Sequence, residues 1–315
     1  MLNFPREDQA RKGESFMSIA VSVVVPAYNA SRTIEGCVQS LLRLSAQSPP
    51  HEIIVVDNGS DDSTAEIVRN YPRITLMEER AVRGPSAARN AGARAATGDI
   101  LAFTDADCVV TPDWLVLGVV PLADLGVCGV AGLIKGVEPK NEIQEWMNSR
   151  NILDARAALA NAFRPYVQTA NAFFRRTDFW KVNGFDVSLL CGEDCDLSWR
   201  IIEATGGRLA LVTDALVYHD HRSSVRGLFR QSSKNARAAA YLAEKWGGVL
   251  PAKHWKTSVW EVLDLTRCGA HYAGVSITVK PRSERINAKL DFLHRLGRKH
   301  GMIASAWRTG QYSRW

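Results

Sequence analysis

The sequence predicts an α/β protein, with a doubly wound, mainly parallel sheet flanked by helices and a helical C-terminal appendage. Three observations carry that expectation. Short β-branched and apolar runs recur through residues 20–137, helical patterns lie between them, and beyond residue 223 the text is mostly helical. Near-continuous apolar runs suit strands buried on both faces, and strands alternating with helices build parallel sheets.

The first strand is expected at Val21-Ser22-Val23-Val24-Val25, stopping at Pro26, and the second over residues 52–56, stopping at Asp57-Asn58-Gly59. A third covers residues 73–77 and a fourth residues 99–104, ending at Asp105. Ser31 is placed to cap a helix whose apolar face carries Ile34, Val38, Leu41 and Leu42. Ser60 or Asp61 is placed to cap a short helix with Ala65, Ile67 and Val68, because small polar side chains satisfy the first backbone N–H groups of a helix. Pro85 suits the first turn of an alanine-rich helix that runs to about Ala96. Residues 115–134 are interrupted by Pro121, Asp124 and four glycines. They read as helix, turn and buried strand, since a membrane span needs about 20 mostly uninterrupted apolar residues.

After residue 137 the alternation loosens. A helix is expected over residues 142–159, a strand over 169–174, and a helix opened by Gly192 that carries Leu197, Ile201 and Ile202. Two short strands follow at residues 209–212 and 216–218. From Ser223 onward helices are expected, with a break near Gly247-Gly248-Val249-Leu250-Pro251.

The chain of 315 residues, 46% hydrophobic and 23% charged, has the balance of a soluble globular protein. Six cysteines without a CxxC pair read as reduced thiols of a cytosolic protein. Cys191 and Cys195 have no second pair to complete a zinc site. The first twenty residues carry Arg6, Glu7, Asp8, Arg11 and Lys12 and lack the apolar core of a signal peptide. Residues 1–17 are therefore expected to be an N-terminal extension, and the protein to be cytoplasmic. Within residues 280–315, nine Lys or Arg face two acids. That tail carries +7 of a net +6, leaving about −1 elsewhere. It suits peripheral contact with the cytoplasmic face of a membrane, or an anionic acceptor.

In open α/β sheets ligands sit beyond the carboxyl ends of the strands. That rule puts Tyr28, Asp57 and Asp105 along one edge. Asp-x-Asp occurs twice, at Asp105/Asp107 and Asp194/Asp196, and turn-forming aspartates would explain the spacing alone. Position separates the two. Asp105 ends an apolar strand, where carboxylates can serve Mg²⁺ or Mn²⁺ beside phosphate oxygens. Gly192-Glu193-Asp194 opens a helix, where acids are favoured by the dipole, yet a carboxylate there could also take a proton from an incoming hydroxyl. His219 in Val217-Tyr218-His219-Asp220-His221 would tilt a carboxylate site towards Mn²⁺, and spacing does not choose it over His221. Arg89 lies on the alanine-rich helix, within reach of a base or phosphate. No GxGxxG and no GxxxxGK[ST] is present, which counts against dinucleotide oxidoreductases and P-loop enzymes.

Six segments in order carry a resemblance: Val25-Pro26-Ala27-Tyr28-Asn29, Val56-Asp57-Asn58-Gly59-Ser60-Asp61-Asp62-Ser63, Ala88-Arg89-Asn90-Ala91-Gly92, residues 96–107, Asn183-Gly184-Phe185-Asp186, and residues 192–197. The chain resembles glycosyltransferase family 2 over residues 20–222. The resemblance implies a GT-A type, Rossmann-like fold and inverting transfer from a nucleotide sugar. It implies a catalytic domain over 18–222, with a nucleotide-binding half (18–137) and an acceptor/base half (138–222), and a basic helical region over 223–315. It implies donor binding by Pro26, Ala27, Tyr28, Asp57, Arg89, Asp105 and Ala106, with Asn171 bordering the sugar pocket. Asp107 and His219 would ligate Mn²⁺ or Mg²⁺ in the DXD manner, and Asp194 with Glu193 would be catalytic. The expected partners are a nucleotide sugar, UDP-sugar favoured, and a glycan or lipid-linked acceptor of cell-surface polysaccharide or glycolipid synthesis, with no nucleic acid. The Gln-x-x-Arg-Trp box of processive relatives is spelled only at Gln311-Tyr312-Ser313-Arg314-Trp315, far from Asp194, and lends processivity no support. Nucleotidyl transfer would need a basic phosphate loop where Ala27-Tyr28-Asn29-Ala30 stands. A non-catalytic nucleotide-sugar or membrane-surface binding module is the remaining alternative, and the Glu193-Asp194 pair speaks against it.

Overall fold

The computed structural model describes residues 19–189, 191–247, 255–277 and 281–306. The expected extension at residues 1–17, most of the break near residues 247–251 and the terminal box at 311–315 lie outside the described residues. The chain divides into two compact units. The first gathers described residues up to Lys135 with Leu153–Val187 and Glu193–Asp220, and the second gathers Gly136–Ile152, the described residues of Ser188–Gly192, and those from His221 onward.

In the first unit the described residues form one eight-stranded sheet. Its strands are β1 (Val21–Ala27), β2 (His51–Asp57), β3 (Thr75–Glu78), β4 (Ile100–Thr104), β5 (Cys108–Val110), β6 (Val127–Gly136), β7 (Asn171–Arg175) and β8 (Arg208–His219). The spatial order is β3-β2-β1-β4-β7-β6-β8-β5. β1 pairs in parallel with β2 and β4, and β2 with β3. The parallel order expected from sequence thus holds for the first half, while β4–β7, β6–β7 and β5–β8 are antiparallel. The sheet is mixed.

The parallel half is buried on both faces, as its apolar runs require. Val21, Val23 and Val25 face a cluster with Ile34, Val38 and Leu41 of α1 (Ile34–Leu42). Val24, one step out of phase, faces the opposite cluster with Ala88, Ala93 and Phe103. α2 spans Thr64–Arg69 and α3 spans Pro85–Ala95. α3 lies close to the sheet: a Cβ on Gly92 would meet Val24 Cγ1 at 2.5 Å and Val56 Cγ2 at 3.1 Å. The stretch over residues 115–134 resolves as expected into α4 (Trp114–Val119), a 3₁₀ turn and β6.

Several local expectations are corrected. Ser31 does not cap α1; Thr33 holds that position without a side-chain bond, and Ser31 donates its N–H to Asp62 Oδ2 at 3.0 Å. α2 follows Ser63, and neither Ser60 nor Asp61 caps it; Asp62 accepts from the Thr64 N–H at 3.0 Å. β1 runs through Pro26 to Ala27. The helix expected over 142–159 is two, α5 (Glu142–Ser149) and α6 (Ala155–Leu159). Asn151 between them takes φ of 46°, which ends a helix, and Asp154 accepts from the Arg156 N–H to start the next. The two short strands expected after residue 208 are one continuous strand, β8. α7 (Arg176–Lys181) and α8 (Glu193–Thr205) complete the first unit.

The second unit holds α5, α9 (Val225–Lys245), α10 (Trp255–Ile277) and α11 (Arg282–Ala306). Its core includes Trp146, Met147, Leu228 and Leu290. α9 and α11 approach so closely that a Cβ on Gly301 would lie 2.1 Å from Ser233 O. Among the described residues no helix is long and apolar enough to cross a membrane.

Candidate active site

The site is built at the carboxyl ends of β1, β2 and β4, where Ala27 and Asp57 stand side by side in register. Tyr28, half exposed, begins the turn after β1, and Asn29 follows with φ of 48°. Asn29 donates its N–H to Ser60 Oγ at 3.0 Å and accepts from the Asp61 N–H at 2.9 Å, so the turns after β1 and β2 are tied together. Asp57 is buried, and its carboxylate accepts from the Ser60 hydroxyl and from the Ser60 N–H at 3.2 Å.

Two residues here escaped the sequence reading. Asn58 donates to Glu79 O at 2.7 Å and to Val82 O at 2.9 Å, and accepts from the Gly84 N–H at 2.6 Å. One carboxamide therefore shapes the whole loop over residues 79–84. That loop sets the Arg83 guanidinium 5.4 Å from the Tyr28 ring centroid, and Arg83 also donates to Gly59 O at 3.2 Å. An asparagine after a strand was the one local signal, and it reads equally as a simple turn.

Arg89, on α3, is 4% exposed. It donates to Asp105 Oδ1 at 2.7 Å and to Glu193 Oε1 at 3.0 Å, joining the end of β4 to the start of α8. Burial opposes its charge, but Asp105 and Glu193 more than offset that, and its proton affinity is raised. Asp194, beside Glu193, keeps partial exposure, yet protein atoms surround its carboxyl. Burial first, and then the Glu193 charge, push it up to about 7, with the Cys195 N–H (2.9 Å) and Arg89 opposing. The charge of Asp194 also reaches Tyr166, whose ionisation is disfavoured by burial first and then by Cys195 and Asp194. No spacing rule pointed to Tyr166.

Asp107 follows β4, with the buried Ala106 between it and Asp105. β5 pairs with β8 so that Cys108 stands opposite His219, and the Asp220 N–H donates to Asp107 O at 2.8 Å. His219 Nε2 thereby comes to 3.5 Å from Asp107 Oδ1. Donor atoms of Asp107, His219 and Cys108 lie within 4.8 Å of one another. A carboxylate oxygen with an imidazole nitrogen suits Mn²⁺, and less well Mg²⁺, which prefers oxygen alone. The Cys108 thiol is fully buried, and a soft sulfur donor suits Mn²⁺ or Mg²⁺ less well than the Asp107 carboxylate and the His219 imidazole, so Asp107 and His219 are the fitting pair.

Asn171, on β7, has a structural part in this region. It is fully buried, donates to Leu133 O at 2.9 Å and Ala215 O at 2.8 Å, and accepts from Trp114 Nε1 at 2.8 Å. Its side chain thus joins β6, β7 and β8 from within the sheet. Among the six cysteines no disulfide is formed.

A mixed sheet with acids gathered at the carboxyl edge of its parallel half and a helix-borne carboxylate beside them is the arrangement of the GT-A fold. The chain belongs to glycosyl transferase family 2, whose model matches residues 22–182. It is 33% identical over 230 residues to the pre-mycofactocin glycosyltransferase of Mycobacterium tuberculosis, a match covering 71% of this chain and 47% of that relative. The chain thus spans about half the length of that relative. In fold it is similar to the mannosyltransferase PcManGT of Pyrobaculum calidifontis, solved with GDP-Man and Mn²⁺, with a TM-score of 0.63, 19% identity and coverage of 96% of this chain and 94% of that one. It is also similar to glucosyl-3-phosphoglycerate synthase of Mycobacterium tuberculosis, solved with Mn²⁺, UDP-glucose and phosphoglyceric acid, with a TM-score of 0.52, 20% identity and coverage of 79% and 87%.

Proposed function

We propose that this chain transfers a glycosyl group from a nucleoside-diphosphate sugar to an acceptor hydroxyl with inversion. The observation that carries the reading is the Arg89 bridge, which holds the Asp105 edge against Glu193 beside a carboxyl, Asp194, poised near neutral pH. The names of the similar proteins support it, since PcManGT is solved with GDP-Man and the synthase with UDP-glucose.

Asp194 takes the proton of the acceptor hydroxyl as its oxygen bonds to the anomeric carbon. The bond from that carbon to the phosphate oxygen breaks, and the nucleoside diphosphate departs with the electron pair. Asp57, at the turn shared with Tyr28, supports recognition of a base N–H, which uracil or guanine both offer. A UDP-sugar is the favoured donor. Asp107 and His219 would hold the divalent cation, which when bound supplies positive charge against the diphosphate. Arg89 keeps Asp105 and Glu193 in place. The basic C-terminal region supports an acceptor of anionic or lipid-linked character in cell-surface glycan synthesis, on the cytoplasmic face of a membrane.

Asp194→Asn tests the reading, with transfer and donor binding measured separately. Transfer should vanish while donor affinity stays within a few-fold; equal loss of both would remove Asp194 from the role of base.

A further inference from the structure

Gln168 stands at the edge that carries the site, and no step of the transfer draws on it. β7 runs antiparallel to β4 with Asn171 opposite Thr104, so the residues just before β7 pass the end of β4, where Asp105 and Asp107 follow. The Thr104 hydroxyl donates to Ala170 O at 3.0 Å, and the Asn171 N–H donates to Gln168 O at 3.0 Å, which fixes the turn on that side. On the other side the Val167 N–H donates to Ser198 Oγ at 3.2 Å, and that hydroxyl donates to Asp194 O at 2.7 Å. Gln168 is therefore held between the Asp105 edge and the first turn of α8, which carries Asp194. In the transferase reading, the sugar being moved occupies that interval.

The state of its side chain sets it apart. Every other residue from 167 to 174 is buried, and Gln168 alone keeps partial exposure. Its Oε1 is shielded from solvent and has no hydrogen-bond partner, and among the described residues its Nε2 donates to no protein atom. The Asn171 carboxamide three residues on is the contrast, since it meets Leu133 O, Ala215 O and the Trp114 indole. A glutamine that served the fold would spend its amide in that way, and one that was only solvated would put its oxygen in water. An amide that does neither is left for a partner outside the protein. That partner is neutral, because a carboxamide brings no charge to a diphosphate or a cation. The last torsion of glutamine is soft, so either end of the amide can turn outward. A sugar hydroxyl both donates and accepts, and so pairs with the amide in either orientation.

We propose that Gln168 is a specificity-determining residue whose carboxamide hydrogen-bonds a hydroxyl of the transferred sugar. The inference rests on the transferase reading and names the group that selects the sugar. The amide adds affinity for the sugar portion and none for the nucleotide. It rejects a donor that lacks the hydroxyl, because its polar atoms are then left unpaired.

The test compares the full wild-type chain with Gln168→Met, which keeps the length of the side chain and removes the amide. UDP-glucose, UDP-N-acetylglucosamine and GDP-mannose are titrated by calorimetry in Mn²⁺, beside UDP and GDP. The quantity read is the affinity of each nucleotide sugar divided by that of its own nucleoside diphosphate. For the sugar the wild type prefers, Gln168→Met should lower that ratio about fivefold to tenfold, with the affinity for the bare nucleotide unchanged. The melting temperature should hold or rise, because the substitution removes a buried oxygen that has no partner. A lower melting temperature with equal weakening of nucleotide and nucleotide sugar would make Gln168 a structural residue and overturn the inference. An unchanged ratio, with the nucleoside diphosphate still bound, would also overturn it and leave the transferase reading standing. Failure of the wild type to bind any of these nucleotides would instead remove the transferase reading, and the inference with it.

Discussion

At the scale of single residues, the reading of Asp194 as the base sets an expected dependence of activity on pH. Its proton affinity is raised to about 7, chiefly by burial. The base must be ionised, so kcat/KM should rise with pH through about 7 and level above it. Stability runs the other way. Between the unfolded carboxyl's ordinary value near 4 and about 7, the folded state holds a proton that the unfolded state has released, so stability falls as pH rises across that window. Asp194→Asn should therefore match the wild-type melting temperature near pH 4 and exceed it at pH 8; a gain at pH 4 that disappears by pH 8 would contradict the assignment. Arg89 offers a second test. Arg89→Ala strands the buried Glu193 and the Asp105 carboxylate, and loss of one partner from a buried ion pair costs about 3 kcal/mol or more. Arg89→Lys should rescue only part of that, since one ammonium cannot reproduce the two-sided fork. Denaturant unfolding of the two variants measures both.

At the scale of elements, α3 carries Arg89 and its height above the sheet is set by Gly92. Alanine is favoured over glycine in helices by about 1 kcal/mol, but a Cβ at 2.5 Å from Val24 forces overpacking, which costs about 1–3 kcal/mol. Gly92→Ala should lower the melting temperature, and donor affinity should fall with it because the Arg89 bridge shifts. Stabilisation would show that α3 can slide without cost. The strands leading to this region were legible because β1, β2 and β4 are apolar on both faces. β8 was split in the sequence reading because exposed Thr213 and Asp214 interrupt its apolar pattern, while backbone pairing with its neighbours does not register in composition. The break between α5 and α6 rests on one left-handed asparagine, which helical periodicity cannot register. The acidic edge and the base candidate were visible as motifs. The Arg89–Glu193 bridge was not, since no local rule joins α3 to α8, and a motif position did not reveal that the partners of Asn171 are Trp114, Leu133 and Ala215.

At the scale of the molecule, the two units carry different chemistry. The first holds the motifs that place the chain in its family, and the second is a helical unit with a core that includes Trp146, Met147, Leu228 and Leu290. A cation bound by the folded first unit, and not by the unfolded chain, stabilises it by mass action. Adding Mn²⁺ should therefore raise the melting temperature in a concentration-dependent way, by about 3 kcal/mol of stability at a hundred times the dissociation constant. Asp107→Ala and His219→Ala should each abolish that rise, whatever their effect on turnover. An undiminished rise in both variants would place the cation elsewhere.

The register of β5 against β8 has one more implication. Asp107 is made early in translation, whereas His219 arrives only when β8 has been synthesised and has zipped onto β5. A cation held jointly by the two cannot be captured by a half-made chain, nor by one whose last strand pairs a step out of phase and presents Tyr218 opposite Cys108. If Asp107 and His219 hold the cation as proposed, binding of Mn²⁺ therefore reports that β5 and β8 have paired in register.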